Sequence, residues 1–150
     1  MISYYDITTK LKDTLLNEPF CNTVTKGSLD RVMNAKMDMY PLSHLMINNC
    51  TVNGNTLTYN VSILAMDIVD ISKNKTIDLF IGNDNEDDVL NDMQKLLVRI
   101  TALLQRGDLF TDLYQVENAT LEPFMDRFED AVAGWTLTLD INVPNGISIC

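Results

Sequence analysis

The sequence predicts an α+β protein, an antiparallel β-sheet packed against an N-terminal helix and a long central helix. Three observations carry this class. A helical apolar period runs unbroken through Val89, Leu90, Met93, Leu96, Leu97, Ile100, Leu103 and Leu104. Asn53-Gly54-Asn55 separates two strand-like runs, and Asn-Gly in that position is a strong hairpin signal. Near the end, Trp135, Leu137, Leu139, Ile141 and Val143 alternate with Thr136, Thr138, Asp140 and Asn142, the pattern of a half-buried strand. At 150 residues, 46% hydrophobic and 21% charged, residues 1–150 are expected to form one domain with a real core.

The elements follow in order. Tyr4, Ile7, Thr8, Leu11 and Leu15 have helical spacing, with Asp6 at the start where the helix dipole favours negative charge. Pro19 should stop this helix near Asn17. Residues 20–25 (FCNTVT) read as a short strand ended by Lys26-Gly27-Ser28, and residues 28–41 as an irregular segment. Residues 43–52 and 56–71 form the hairpin arms. From Leu64 to Asp67 both faces of the second arm turn apolar, so it either enters a covered sheet centre or bulges near Ala65. Residues 72–82 read as a turn and a short apolar piece.

The acidic run at 83–88 (NDNEDD) opens the long helix. Arg99 and Arg106 sit near its end, and Gly107 suits the position just past it. Residues 113–122 read as a strand, FMDRFEDAVAG as a helical or turn-rich connection, and Trp135–Val143 as the last strand, packed on the long helix. Short links between successive strands favour antiparallel pairing. Ile147, Ile149 and Cys150 form an apolar tail beyond Pro144-Asn145-Gly146.

Charge divides the chain. The net charge is −10; residues 1–75 hold seven Lys/Arg against seven Asp/Glu, and residues 76–150 hold four against fourteen. A balance of this kind makes a poor binder of phosphate backbones, which need cationic neutralisation. No apolar run approaches the roughly 18–20 residues that cross a bilayer, so no membrane is expected. MISYYDITTKLKD has neither a basic nor an apolar leader region, and the expectation is a complete gene product made in the cytoplasm. Cys21, Cys50 and Cys150 are an odd, widely spaced set, read as reduced thiols. Four Asn-X-Ser/Thr sequons, at Asn49, Asn60, Asn74 and Asn118, are read as coincidence in an Asn-rich chain.

No catalytic constellation emerges. His44 is the one histidine and no serine-elbow motif accompanies it, so it is read as a structural or interface residue. The 83–88 run lacks the spacing of a calcium loop. Asp67 and Asp70 would point to opposite faces of a regular strand. The glycines are isolated punctuation and form no phosphate loop. No enzyme, cofactor or metal is therefore expected.

The opening helix at Tyr4–Leu16, the strand PLSHLMI, the strand NVSILAMDIVD, the long helix begun by NEDDVLNDMQKLLVRI and the closing GWTLTLDINVP strand together resemble one family. They are similar to the tail-terminator and tail-completion proteins that form neck rings in tailed bacteriophages. The resemblance spans most of the chain and rests on pattern, with no signature residue. It implies a structural virion protein with no active site, assembled as a homo-oligomeric ring, commonly a hexamer, between head or portal and tail. The partners it implies are the portal, neck and tail-tube proteins, with DNA passing through the lumen unbound; the location is the virion neck or tail. An acidic lumen would let DNA slide. Candidate subunit or ring contacts are the loop around Met33–Tyr40, with Met33, Met37, Met39 and Tyr40, and the segment Ser72–Asn85, with Lys73, Lys75, Asp84 and Glu86 in or beside it. Ile147, Ile149 and Cys150 in the tail complete the set. The competing expectation is a soluble acidic adaptor or inhibitor that binds a basic protein, motivated by the acidic second half.

Overall fold

The computed structural model describes residues 4–28, 39–70, 75, 77–80, 85–106, 115–127 and 132–146, except for the side chains of 126 and 127. The elements are α1 (Tyr4–Leu16), β1 (Thr23–Lys26), β2 (Leu42–Asn53), β3 (Thr56–Ile68), α2 (Glu86–Arg106), β4 (Gln115–Arg127) and β5 (Val132–Pro144). They build an α+β structure with one five-stranded sheet in the order β1-β2-β3-β5-β4.

The sheet is mixed, which corrects the antiparallel expectation. β1 runs parallel to β2, with Thr23 opposite Leu42 and Lys26 opposite Leu45; the other three pairings are antiparallel. Parallel neighbours need a crossover of about a dozen residues or more. The stretch from Gly27 to Pro41 is long enough for the chain to return to the same end of the sheet, so the short-link argument does not apply there.

Alternation sets the two faces. On β3 and β5, Leu57, Tyr59, Val61, Ile63 and Ala65 stand opposite Val143, Ile141, Leu139, Leu137 and Trp135. These residues join one core with Ile7, Leu11 and Leu15 of α1 and with Val89, Met93, Leu96, Leu97, Ile100 and Leu104 of α2. Both helices thus cover the same face, as their apolar stripes require. Arg99 of α2 holds Glu18, just beyond α1, at 2.7 Å.

The other face has two halves. Near the Val132 end, Tyr40, Leu42, Leu64, Met66, Phe124 and Val132 form a second buried cluster, with Met39, Met46 and Ile68 against it. The run Val61–Met66 is therefore buried on both faces, and β3 does enter a covered sheet centre. The register shift falls in β2 at Asn48, between Ile47 and Asn49, while Ala65 stays in register. Gly134 lies inside β5 and is not a break between elements. A Cβ there would stand 1.9 Å from the Ala65 carbonyl oxygen, so only glycine fits this approach of β5 to β3. Phe124 lies opposite Gly134 in register and is buried in the second cluster.

Two further boundaries differ from expectation. Residues 124–127 continue β4 instead of forming a helical link, because Phe124 has an apolar cluster to fill. The hairpin turn is tighter than a three-residue loop: Asn53 pairs with Thr56, leaving Gly54 (φ +47°) and Asn55 at the tip.

Candidate assembly surfaces

Among the described residues, the buried side-chain polar groups are satisfied internally. His44 is fully buried on β2. Its Nε2 lies 3.0 Å from the Gly27 carbonyl oxygen and its Nδ1 2.7 Å from Thr25 Oγ1. A carbonyl only accepts, so these partners assign the proton to Nε2, and Nδ1 accepts from the Thr25 hydroxyl. The imidazole fastens the short parallel strand β1 to β2 and has no access to solvent, so it is structural. Cys21 is buried near Ser43 Oγ and the Thr23 carbonyl oxygen, and burial pushes its thiol pKa up. Cys50 is exposed.

The acidic residues do not assemble a metal centre; among the described residues no group of three or more potential ligands converges. Asp67 accepts a hydrogen bond from the Ile68 backbone N–H at 2.8 Å. Asp70 is tied through its backbone N–H to the Asn85 Oδ1 at 2.7 Å, which fastens the end of β3 to the start of α2. No described helix is long and apolar enough to cross a membrane.

Three surfaces remain. The first is the polar half of the sheet face opposite the helices. Asn48 donates to Asn60 Oδ1 and to Ser62 Oγ at 2.8 Å each, and Asn60 donates to Asp140 Oδ1 at 2.9 Å. Asn118, in the left-handed conformation (φ 56°) of a β4 bulge, donates to Asp140 Oδ2 at 3.1 Å. Side chains of four strands thereby lock one flat polar plane, and these two amides hold the Asp140 carboxyl below the usual carboxylate range.

The second surface is the pair of sheet edges. β4 pairs only with β5, and β2 pairs with β1 only as far as Leu45. Among the described residues, the outer edge of β4 and that of β2 from Met46 onward therefore have no partner strand. Pro123, the bulges in β4, and the charges of Glu117 and Glu122 make the β4 edge a poor template for indiscriminate pairing.

The third surface is apolar. Ile77, Leu79 and Phe80 are 95%, 90% and 93% exposed, far from the usual state of such side chains. A groove of about 210 Å³ lies between α2 and β4, lined by Val98, Ala102, Arg106, Ala119, Leu121 and Leu137.

The predicted contact residues distribute unevenly. Tyr40 is buried in the second cluster with Met39 packed against it, so both serve the subunit's own core. Lys75 is exposed, and Glu86 is half-buried in the first turn of α2. Met33, Met37, Lys73, Asp84, Ile147, Ile149 and Cys150 lie outside the described residues, as does Gly107. Residues 77–80 fall within the 72–85 segment expected to make contacts, although none of the four was named individually; the α2/β4 groove was not singled out in the sequence. The apolar content of TIDLFIG was visible, but apolar residues normally signal burial.

No protein-family profile matches the chain, and no curated protein matches it.

Proposed function

We propose that this chain is a structural subunit of a tailed-phage neck or tail, a tail-terminator-like ring protein that joins head or portal to tail. The observation that carries this reading is a pair of unlike edges that have no partner strand among the described residues, β4 at one end of the sheet and β2 beyond Leu45 towards the other. A subunit with two different adhesive sides associates head to tail, and such contacts close into a ring when the rotation permits. The order helix, strand, hairpin, long helix and strand pair supports the same reading, since it is the order on which the resemblance rests.

The charge distribution is consistent with passage of DNA. Asp87, Asp88, Glu117 and Glu122 are exposed in the acidic second half. A lumen lined by carboxylates repels phosphate and leaves the duplex free to slide. The same exposed carboxylates support a runner-up reading, an acidic adaptor that binds one basic protein, with affinity falling steeply as salt rises.

Native mass spectrometry of the protein mixed with portal, neck and tail-tube proteins separates the two. A closed oligomer on a tube or portal is the expected result. A chain that engages none of them, or that binds a basic protein one to one without a ring, overturns the proposal.

A further inference from the structure

We infer that the hollow between the end of α1 and the middle of α2 is a binding site for a carboxylate carried on an apolar group, with Arg99 as its bidentate donor. The inference goes beyond the ring reading and does not depend on it.

The hollow has a volume of about 410 Å³, within the range of roughly 300–1,000 Å³ common for small-molecule sites. Lys95 and Arg99 stand four residues apart on α2, so both rise from one face of the helix, and both line the hollow. Glu18, Pro19 and Phe20 supply the wall that follows α1.

Arg99 is held ready for a ligand. Its Nε–H donates to Glu18 Oε1 at 2.7 Å, and that is the one bond between the two side chains. Glu18 is only 9% exposed, and its backbone is fastened on both sides. Its N–H donates to the Leu15 carbonyl oxygen at 3.0 Å, and its own carbonyl oxygen accepts from the Cys21 N–H at 3.3 Å. The carboxylate is thus a fixed post that orients the guanidinium.

The terminal amino groups Nη1 and Nη2 have no partner among the described residues, and the Arg99 side chain is 66% exposed. Parallel N–H groups on that outer edge match the two oxygens of a carboxylate. A tie between α1 and α2 alone would be stronger if this fork were spent on Glu18. Lys95 is exposed, has no ion-pair partner among the described residues, and adds a second cation.

Charge and shape choose the ligand. Two cations and one carboxylate leave the hollow with one excess positive charge, and its other lining residues are not ionisable. A carboxylate matches that excess. A phosphate monoester carries about −1.5 to −2 at pH 7 and would set its surplus charge against Glu18. Phe20, 38% exposed, and Pro19 give an apolar rim, and the buried Leu96 adds an apolar surface, so the body beyond the carboxylate is apolar.

Two sources share this chemistry, a small apolar acid and the C-terminal carboxylate of a protein. The test titrates the isotope-labelled full chain, followed by NMR, with 3-phenylpropanoate, with N-acetyl-alanyl-phenylalanine, with the amide of each, and with phenyl phosphate. The backbone signals of Phe20, Lys95 and Arg99 and the Arg99 Nε–H signal should shift and saturate, with a Kd of about 1 mM for fragments this small. Each amide should bind at least about 10-fold more weakly than its acid. Arg99→Lys keeps the charge but loses the fork, and should also lose about 10-fold. Glu18→Gln should move the preference towards phenyl phosphate, a change that a purely structural role for Glu18 would not produce.

Saturation by the dipeptide acid alone assigns the site to a chain terminus, and saturation by 3-phenylpropanoate assigns it to a small acid; either supports the inference. No saturable shift up to about 10 mM of either acid overturns it. So does an amide that binds like its acid, an Arg99→Lys variant that binds like wild type, or a wild type that prefers phenyl phosphate to both acids.

Discussion

The indole Nε1–H of Trp135 donates to the backbone carbonyl oxygen of Leu90 across 2.8 Å, tying β5 to the first turns of α2. The two residues are 45 positions apart, and the bond fixes how the long helix lies over the sheet. Trp135→Phe keeps an aromatic ring but loses the donor, so it should cost about 1 kcal/mol. Trp135→Ala also removes the packing and should cost about 3 kcal/mol. Urea denaturation followed by far-ultraviolet circular dichroism reads both, since the substitutions remove the single tryptophan. Equal costs for the two variants would show that the hydrogen bond, and not the ring, carries the contact.

Next to this tryptophan, Gly134→Ala should be among the most damaging single-methyl additions in the chain. The new Cβ would stand 1.9 Å from the Ala65 carbonyl oxygen and 2.9 Å from Met66 Cα, both backbone atoms of β3 that have no rotamer to yield. Strand separation would break central pairing, so a loss of about 3 kcal/mol, at the upper end of overpacking costs, is expected. A thermal melt within a degree of wild type would mean that β3 and β5 approach less closely at this point.

Two aspartates should give opposite pH signatures. Burial holds the Asp67 carboxyl above its ordinary value of 3.8; the Ile68 N–H works against this, and the Asp92 and Asp70 charges add to it. A raised folded-state pKa gives stability that is full below 3.8 and is lost as pH rises through the raised value. Asp67→Asn should therefore be more stable than wild type at pH 7, with the difference closing in acid. The Asp140 carboxyl is lowered by the Asn60 and Asn118 amides, so its contribution is present above 3.8 and lost as pH falls through the lowered value. Asp140→Asn should be the less stable protein at pH 7 and converge with wild type in acid. Melting temperatures from pH 2 to 8 check both, and a destabilised Asp67→Asn at pH 7 would contradict the first.

Much of the fold was legible because its strongest elements announce themselves locally. The stripe from Val89 to Leu104 exceeds any strand length, and Asn53-Gly54 fixes a turn by its own backbone preference. The alternation from Trp135 to Val143 gives both the strand and the face that meets α2. What escaped depends on distant partners. The direction of β1 is decided by a crossover whose path no local signal records, and the bulge at Asn48 is decided by an amide that reaches Asn60 and Ser62. Tyr40 looked like part of a contact loop because the second apolar cluster that buries it draws on Leu64, Met66, Phe124 and Val132, from three separate strands. The 72–85 segment was expected to make contacts, but the exposure of Ile77, Leu79 and Phe80 within it was hidden for the opposite reason. Their residue types say buried, and only the structure shows that nothing within the described subunit covers them.

The thiols offer a direct test of the burial pattern. Cys21 is 8% exposed, burial raises its pKa, and its sulfur sits near Ser43 Oγ and the Thr23 carbonyl oxygen. Cys50 stands exposed on the outer half of β2, opposite Tyr59. Thiolate is the reactive form, so a buried thiol with a raised pKa is slow for two reasons, access and ionisation. Brief iodoacetamide treatment at pH 8 followed by peptide mapping should label Cys50 in the native protein and leave Cys21 intact until denaturant is added. The ratio of native to denatured labelling at Cys21 then reports how often the β1–β2 corner opens, because its alkylation requires that the strand fastened by His44 and Thr25 first come away. His44→Leu removes both of those hydrogen bonds and should raise the native labelling of Cys21 while leaving Cys50 unchanged. Unchanged protection of Cys21 in that variant would show that the imidazole is not what holds the corner closed.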